Sequence, residues 1–322
     1  VKRIADVVGI SVAVEKSDSE DGRSIISRIL PQLLKNGVEG ITWTARPGKL
    51  GIDERIVIKT DGETADILKE TIKPHKTANT NFFDFVPFEA RSVTRYSLKS
   101  PQVAFRSLFL VAAGKAGPIE GKLIGAFSNS LLGPYGIANA EEFLSAVGSE
   151  MLTVQLDEDG DESLAVVRIK DLDTIKKTLM ATIDVSAKTN DLAGAKVWTS
   201  EDNSYSAALI ENYLILGESN SVVEALKIRI SRLTSPTEPR LDFTKSKMFA
   251  RMRVSDSVST TVSRDFETVK SLARVLAKPR NAERIVSTLS VTETKFTDRG
   301  IERSYLSDFG LIGTIISQFD PE

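Results

Sequence analysis

The sequence predicts an α+β protein in which curved antiparallel sheets carry helices on one face and the chain forms two structurally related tandem units. Three observations support this prediction. β-rich runs come in hairpin pairs, helical patterns separate the pairs, and the only two tryptophans, Trp43 and Trp198, lie 155 positions apart in matching surroundings. Helices that alternate with hairpins, rather than with single strands, favour antiparallel sheets.

The first predicted unit, residues 1–113, alternates strands and helices. Its predicted strands are the β-rich runs at residues 7–14, 41–45, 55–60 and 93–98. Its predicted helices are the segments with apolar residues at helical spacing, at residues 25–34, 65–72 and 101–113. The Pro47-Gly48 step is a turn signal that joins the two central strands as a hairpin. Ser100 and Pro101 form the N-cap and first turn of the last helix.

The second predicted unit, residues 150–322, repeats this order. Its predicted strands are at residues 151–156, 163–169, 205–210, 213–216, 248–254, 285–296 and 301–306, with another around Trp198. Its predicted helices are at residues 172–183, 221–230, 266–276 and 311–319. Asp171 or Asp173 caps the first of these helices, and Ser221 with Glu224 forms a capping box for the second.

The strand predicted at residues 248–254 supports an internal duplication of the chain. Met248 lies 155 positions after Val93, which is the offset that separates the tryptophans. The tryptophans are therefore expected to occupy equivalent, packed positions in two hairpins. The alternative is a single irregular domain without a repeat.

Residues 114–149 are predicted to be a glycine-rich loop or linker with a short helix. The segment contains Phe127, Leu131 and Tyr135 among small residues, so an apolar loop could cover a ligand or dock a partner there. These three residues are the candidate ligand or partner site. The competing interpretation is a linker packed against the core.

Composition excludes several classes of function. The 42 basic and 44 acidic residues are mixed along the chain and give a net charge of −2, so no nucleic acid is expected as a partner. The absence of cysteine rules out disulfides, thiolate metal sites and cysteine nucleophiles. It also favours an exported or engineered chain. The longest apolar run, residues 108–113, is far shorter than the ~20 residues of a membrane span. Because Val1 stands where methionine would begin a protein, a signal peptide or N-terminal anchor is expected to have preceded it.

No catalytic constellation emerges. His75 is the single histidine, which excludes mechanisms that need two, and the Gly-x-Ser-x-Gly, Ser-x-x-Lys and phosphate-binding glycine patterns are absent. The acidic turn at residues 157–162 suggests calcium, but Gly160 stands fourth and Arg168 twelfth where an EF-hand needs glycine sixth and glutamate twelfth. No metal and no cofactor are therefore predicted. A catalytic pair of carboxylates contributed by distant strands remains an alternative.

Four runs resemble a known group of proteins: FLSAVGSE at residues 143–150, VVRIKD at 166–171, AALIENYLILG at 207–217 and TKFTDRGIER at 294–303. They resemble motifs of large bacterial extracytoplasmic domains of unknown function, over about residues 80–310. The motifs consist of apolar and turn residues, so no catalytic residue is carried over. The resemblance implies export, often behind a signal peptide or membrane anchor, and implies no activity.

Together these observations predict a non-enzymatic extracytoplasmic binding or scaffolding protein of the bacterial envelope, with an unknown protein or a hydrophobic ligand as its partner. Two alternatives stay open. One is a carrier that holds a lipid-like ligand in a cavity between sheet and helices. The other is a carboxylate-dependent hydrolase whose acidic pair is brought together by the fold.

Overall fold

We describe the fold from a computed structural model of the chain. The described residues are 35–76, 80–128, 131–157, 162–179, 194–234, 246–264 and 289–307, together with 33, 183, 190–192, 244 and 310. Several predictions fall outside them: the strand at residues 7–14, most of the helix at 25–34, most of the acidic turn at 157–162, and the helices at 266–276 and 311–319.

The strands are β1 (Gly40–Gly48), β2 (Gly51–Lys59), β3 (Ser92–Ser97), β4 (Val147–Gln155), β5 (Ser163–Ile169), β6 (Asn190–Leu192), β7 (Ala195–Thr199), β8 (Tyr205–Ile210), β9 (Tyr213–Glu218), β10 (Ser259–Arg264), β11 (Leu289–Thr297) and β12 (Gly300–Ser307). The helices are α1 (Gly62–Thr71), α2 (Pro101–Lys115), α3 (Pro118–Ser128), α4 (Ala140–Ala146), α5 (Leu172–Thr178), α6 (Ser219–Thr234) and α7 (Lys247–Val254), with 3-10 helices at Thr80–Phe85 and Gly133–Tyr135.

The twelve described strands form one antiparallel sheet in the order β1-β2-β12-β11-β10-β3-β4-β5-β9-β8-β7-β6. Strand β3 lies at its centre and pairs with β10 on one side and β4 on the other. Strand β12 pairs with β2, so that Gly300 lies opposite Lys59 and Ser307 opposite Ile52. Strands from both predicted units therefore share one sheet. The division at residues 1–113, 114–149 and 150–322 stays a prediction.

The central strands are buried on both faces because helices cover each side. In β5, Leu164 and Val166 belong to a first hydrophobic cluster with α6 and α7, whereas Val167 belongs to a second cluster with α4 and α5. Successive side chains of a strand point to opposite faces. The α+β class is confirmed, but the prediction placed the helices on one face and the clusters lie on two. The continuous apolar run of β5 is typical of a strand covered on both sides.

Residues 247–254 form helix α7, so the strand predicted at 248–254 is wrong. The hydroxyl of Ser246 accepts a hydrogen bond from the backbone N–H of Phe249 and caps the helix. Met248 and Met252 are buried four residues apart, a spacing that places them on one helical face. Apolar residues occur at every second position of residues 248–254, and this alternation fits a strand as well as a helix. The N-cap at Ser246 and the four-residue spacing of the methionines are the features that indicate a helix.

Helix α3 occupies Pro118–Ser128, where the sequence predicted a long loop. Pro118 stands at the first position of the helix, where a missing N–H costs nothing. Gly121 and Gly125 are four residues apart inside α3, so they line one side of a helix and do not mark turns, whereas Gly117 lies in the connection before α3. The loop predicted from glycine content is therefore wrong at residues 118–128.

Each tryptophan lies in the first strand of a hairpin. Trp43 faces Ile56 across β1 and β2, and Trp198 faces Ala207 across β7 and β8. Their environments differ, because Trp198 is 7% exposed whereas Trp43, on the terminal strand of the described sheet, is 40% exposed. The prediction of a packed side chain is confirmed for Trp198 and is wrong for Trp43. The internal duplication stays a prediction and loses the support of the strand at residues 248–254.

Candidate docking surface

Helices α2 and α3 form an apolar helical hairpin, the segment Pro101–Ser128. Pro101 begins α2 directly after Ser100, as predicted, and Ala116 and Gly117 connect Lys115 at the end of α2 to Pro118 at the start of α3. Both helices are apolar on average and lack a broad polar face. A helix of this kind is usually buried or in contact with a membrane.

The two helices approach each other closely at Gly121. A Cβ atom on Gly121 would lie 2.9 Å from the carbonyl oxygen of Ala113, which is closer than real Cβ atoms come to a carbonyl. Glycine is therefore required at this position for the hairpin to close. By contrast, Gly125 has no atom within 4 Å of its hypothetical Cβ, so it faces open space.

The inner side of the hairpin is anchored to the rest of the protein. Ala104 is buried in a third cluster with Leu68 and Ile72 of α1, and Val111 packs against this cluster. The ammonium group of Lys115 lies 2.8 Å from Oδ2 of Asp61, the N-cap of α1. This ion pair and a hydrogen bond from Thr64 hold the pKa of Asp61 at about 2. The hairpin is therefore a fixed element of the fold.

The outer side of the hairpin carries large apolar side chains in solvent. Leu110 is 64% exposed and Ile119 is 73% exposed, and Val103 is also exposed. Val103 and Leu110 belong to a stripe with Arg106 and Gly114, because steps of three and four residues follow one face of a helix. We call the set of Val103, Arg106, Leu110 and Ile119 the outer face of the hairpin.

Basic residues accompany this outer face. The guanidinium of Arg106 is largely exposed and lies 3.8 Å from a carboxylate oxygen of Glu141 at the start of α4. Lys122 is exposed on α3. Lys115 is engaged by Asp61, and Glu120 is the single acidic residue between positions 101 and 128. The hairpin thus carries aliphatic side chains together with exposed basic residues, of which Arg106 is paired with Glu141.

The three residues predicted as a ligand or partner site lie in and just after the hairpin. Phe127 belongs to α3, and Leu131 is half-buried beyond its end. Tyr135 packs against the second cluster, its hydroxyl hydrogen-bonds Thr153, and burial raises the pKa of its phenol. Their role in binding stays a prediction. The sequence did contain a signal for the outer face: the helix predicted at residues 101–113 had apolar residues all round and no polar side.

A buried ion pair lines a small hollow beside the central strands. Nη2 of Arg95 donates to Oε1 of Glu150 at 2.7 Å, and Nη1 donates to the carbonyl oxygen of Met252 at 3.0 Å. Phe82, Phe83, Met151 and Leu152 complete the lining. The hollow leaves no room even for a water molecule, so it offers no site for a lipid-like ligand. Arg95 serves here to join two strands to the end of α7.

One group of carboxylates bears on the hydrolase alternative. Burial, then the neighbouring charges of Glu89 and Glu162, raise the pKa of Glu224. All three residues are exposed on the surface, so this group does not lie in a cleft that excludes water. The three carboxylates gave no signal in the sequence, because they come from separate parts of the chain.

Comparisons with known proteins find a distant structural likeness. No family model matches this chain, and no curated protein matches it. A crystal structure of TP0453, crystal form I, is 9% identical and aligns with a TM-score of 0.35 over 78% of this chain and 100% of that one.

Among the residues that the structure describes, none of the helices is both long enough and apolar enough to cross a bilayer.

Proposed function

We propose that this chain is a non-enzymatic binding or scaffolding protein of the bacterial envelope and that it docks through the outer face of the hairpin. The observation that carries the proposal is the exposure of Val103 and Leu110 on α2 and of Ile119 on α3. Large contiguous apolar patches are rare on soluble monomers and mark surfaces that bind something. The hairpin presents several exposed apolar side chains on a rigid support.

The rigidity of the hairpin favours docking over a mobile lid. Gly121 closes the two helices on each other, while Ala104 and Lys115 fix α2 to α1. A surface that is already ordered loses little conformational entropy when it binds. The outer face is therefore preorganised for a partner.

The envelope location is supported by the sequence. The resemblance to bacterial extracytoplasmic domains covers about residues 80–310, and the chain has no cysteine. The non-enzymatic part of the proposal rests on residue types, because the chain offers one histidine and no thiol for acid–base or nucleophilic chemistry.

Binding to isolated envelope fragments tests the proposal. Purified chain should sediment with the fragments, and Leu110→Ser with Ile119→Ser should leave it in the supernatant. The matched control changes Leu233 and Val254 to serine, since these side chains are 63% and 82% exposed on other helices. The control should sediment like the unmodified chain. Equal sedimentation of both variants would contradict docking through the hairpin.

Two further measurements test the envelope location and the non-enzymatic role. Immunodetection in fractionated cells of the source organism should find the chain outside the cytoplasm, and a purely cytoplasmic signal would contradict the envelope location. A broad hydrolase screen should find no turnover. An activity that disappears when one polar residue is changed would show that the protein is an enzyme.

A further inference from the structure

We infer that strand β1 pairs with β1 of a second copy of this chain, antiparallel and about a two-fold axis at Trp43. The pairing joins the two sheets edge to edge, and its symmetry closes the assembly at a dimer. This surface is separate from the outer face of the hairpin, so the inference goes beyond the proposed function.

Strand β1 is an open edge within the part of the chain that the structure describes. It is the terminal strand of the described sheet and pairs there with β2 alone. All of its residues after Gly40 are exposed. Proteins usually shield such an edge with charged residues, proline or a bulge. Residues 41–45 contain no charge and no proline, and their register with β2 is continuous.

The geometry of the strand pair shows which backbone groups face outward. Gly48 and Gly51 flank a two-residue turn, so they form a hydrogen-bonded pair. Hydrogen bonding alternates along an antiparallel pair, and the even-numbered residues of β1 therefore bond to β2. The N–H and C=O groups of Ile41, Trp43 and Ala45 point away from the sheet, ready for another strand.

One antiparallel register uses all of these groups. When Trp43 lies opposite Trp43 of the second copy, Ile41 lies opposite Ala45, and each of the three residues donates and accepts one hydrogen bond. Pro47, which has no N–H to donate, falls outside the bonded segment. A shift of two residues would place Pro47 opposite Ile41, or Ala45 opposite Glu39, whose N–H already donates to a carbonyl oxygen of β2 at 2.8 Å.

The side chains of β1 complement one another in this register. Ile41, Trp43 and Ala45 share one face of the strand, and Thr42 and Thr44 lie on the other. The two indoles meet at the axis, and Thr42 lies opposite Thr44 of the second copy. Aromatic pairs and threonine pairs stabilise neighbouring strands. The apolar face of one copy therefore continues into the apolar face of the other.

The charges of β1 also permit pairing with a second copy. Like charges directly opposite each other destabilise a pair of strands. Arg46 is the one charged residue of β1, and in this register it lies opposite Gly40 of the second copy. The strand is thus complementary to itself in hydrogen bonding, shape and charge, which favours a second copy over an unrelated peptide.

The dimer is expected to be weak. Each copy contributes one strand, so the contact is smaller than the ~1,600 Å² of a standard protein interface. Small contacts of this kind form and dissociate readily. The chain should therefore be a monomer when dilute and a dimer when concentrated.

Sedimentation velocity of the complete chain tests the inference. The chain should convert from monomer to dimer between about 1 and about 100 μM, the range in which weak contacts dissociate. Trp43→Lys should weaken dimerisation by about tenfold or more, because two like charges replace two indoles at the axis. Leu50→Lys is the matched control, since Leu50 is 38% exposed against 40% for Trp43 and lies in the turn beyond the paired segment. It should dimerise like the unmodified chain.

A charge exchange tests the two-fold axis itself. Trp43→Glu alone should also fail to dimerise, whereas an equimolar mixture of Trp43→Lys and Trp43→Glu should form the mixed dimer, because lysine then meets glutamate. A purely structural role of Trp43 would produce no such rescue. Circular dichroism of each variant confirms that it is folded.

Hydrogen exchange locates the contact. Peptides that cover residues 41–45 should be protected in the concentrated protein and should exchange faster on dilution, because outward amides lose their partners when the dimer dissociates. Protection that is independent of concentration would assign the edge to another segment of the same chain, which overturns the inference.

Three sedimentation results would also overturn it: a monomer at every concentration, equal dimerisation of Trp43→Lys and Leu50→Lys, or a mixture of the two charge variants that stays monomeric. A dimer that survives Trp43→Lys but is lost in Leu110→Ser with Ile119→Ser would place self-association on the hairpin. That result overturns pairing through β1 and leaves the proposed function standing.

Discussion

Arg95 and Glu150 form a buried ion pair across strands β3 and β4, with Nη2 of Arg95 2.7 Å from Oε1 of Glu150. The same guanidinium donates to the carbonyl oxygens of Met252 and Ser255 at the end of α7. The pair therefore joins the two central strands to a helix from a distant part of the sequence. Removing one partner would leave the other charge buried and uncompensated.

The first prediction concerns this pair. Glu150→Leu should lower the free energy of unfolding by about 3 kcal/mol or more, whereas Arg95→Met with Glu150→Leu should cost less than that single change. Urea denaturation measures both values. The exposed pair Glu70 and Lys73 is the control, and Glu70→Gln should leave stability nearly unchanged. A single change at Glu150 that is as mild as the control would show that the pair has no structural role.

The second prediction compares two glycines of α3. Gly125→Ala should be neutral or should stabilise by up to about 1 kcal/mol, because alanine favours a helix and nothing obstructs it. Gly121→Ala places a methyl group against the carbonyl oxygen of Ala113, so it should be less stable than the Gly125 variant by about 1–3 kcal/mol. Thermal unfolding of the two variants tests the difference. Equal stability would mean that the helices do not meet at Gly121.

The third prediction is a pH dependence at Asp61. Its pKa is about 2 in the folded protein, against 3.8 as the ordinary value, first because of Lys115 and then because of the backbone N–H of Thr64. A carboxyl group with a lowered pKa stabilises the folded state above pH 3.8, and this contribution is lost as the pH falls towards 2. The stability advantage of the natural chain over Asp61→Asn should therefore shrink between pH 5 and about pH 2. Asparagine keeps the helix cap, so a pH-independent difference would contradict a role for the charge.

The fourth prediction separates the two tryptophans. Trp43→Phe leaves only the buried Trp198, whose emission should lie at short wavelength and resist quenching by acrylamide. Trp198→Phe leaves the exposed Trp43, which should emit at longer wavelength and be quenched readily. Similar quenching of both variants would show that the two tryptophans share one environment, as the internal duplication would require.

Local patterns predicted the elements well because hairpins and helices are encoded by neighbouring residues. Asp171 caps α5 as predicted, by accepting from the backbone N–H groups of Asp173 and Thr174. The start of α6 was predicted two residues late, at Ser221. Glu218 performs the capping, because its carboxylate accepts from the backbone N–H groups of Asn220 and Ser221.

Local sequence patterns could not predict the order of the strands in the sheet. Nothing near Ile52 or Ser307 in the sequence indicates that these residues pair, since the pairing depends on the closure of the whole sheet. The exposure of Trp43 follows from the same order, because β1 stands at an end of the described sheet. The outer face of the hairpin was missed for a related reason: its apolar residues were visible, but their exposure depends on which neighbours cover them.

A fluorescent label at position 110 tests the central claim most directly. Because the chain has no cysteine, Leu110→Cys and Val254→Cys each provide one attachment site for an environment-sensitive dye. On addition of envelope fragments, the dye at position 110 should shift to shorter wavelength and gain intensity, while the dye at position 254 should keep its spectrum in water. A shift at position 254 alone, or the same response at both positions, would contradict docking through the hairpin.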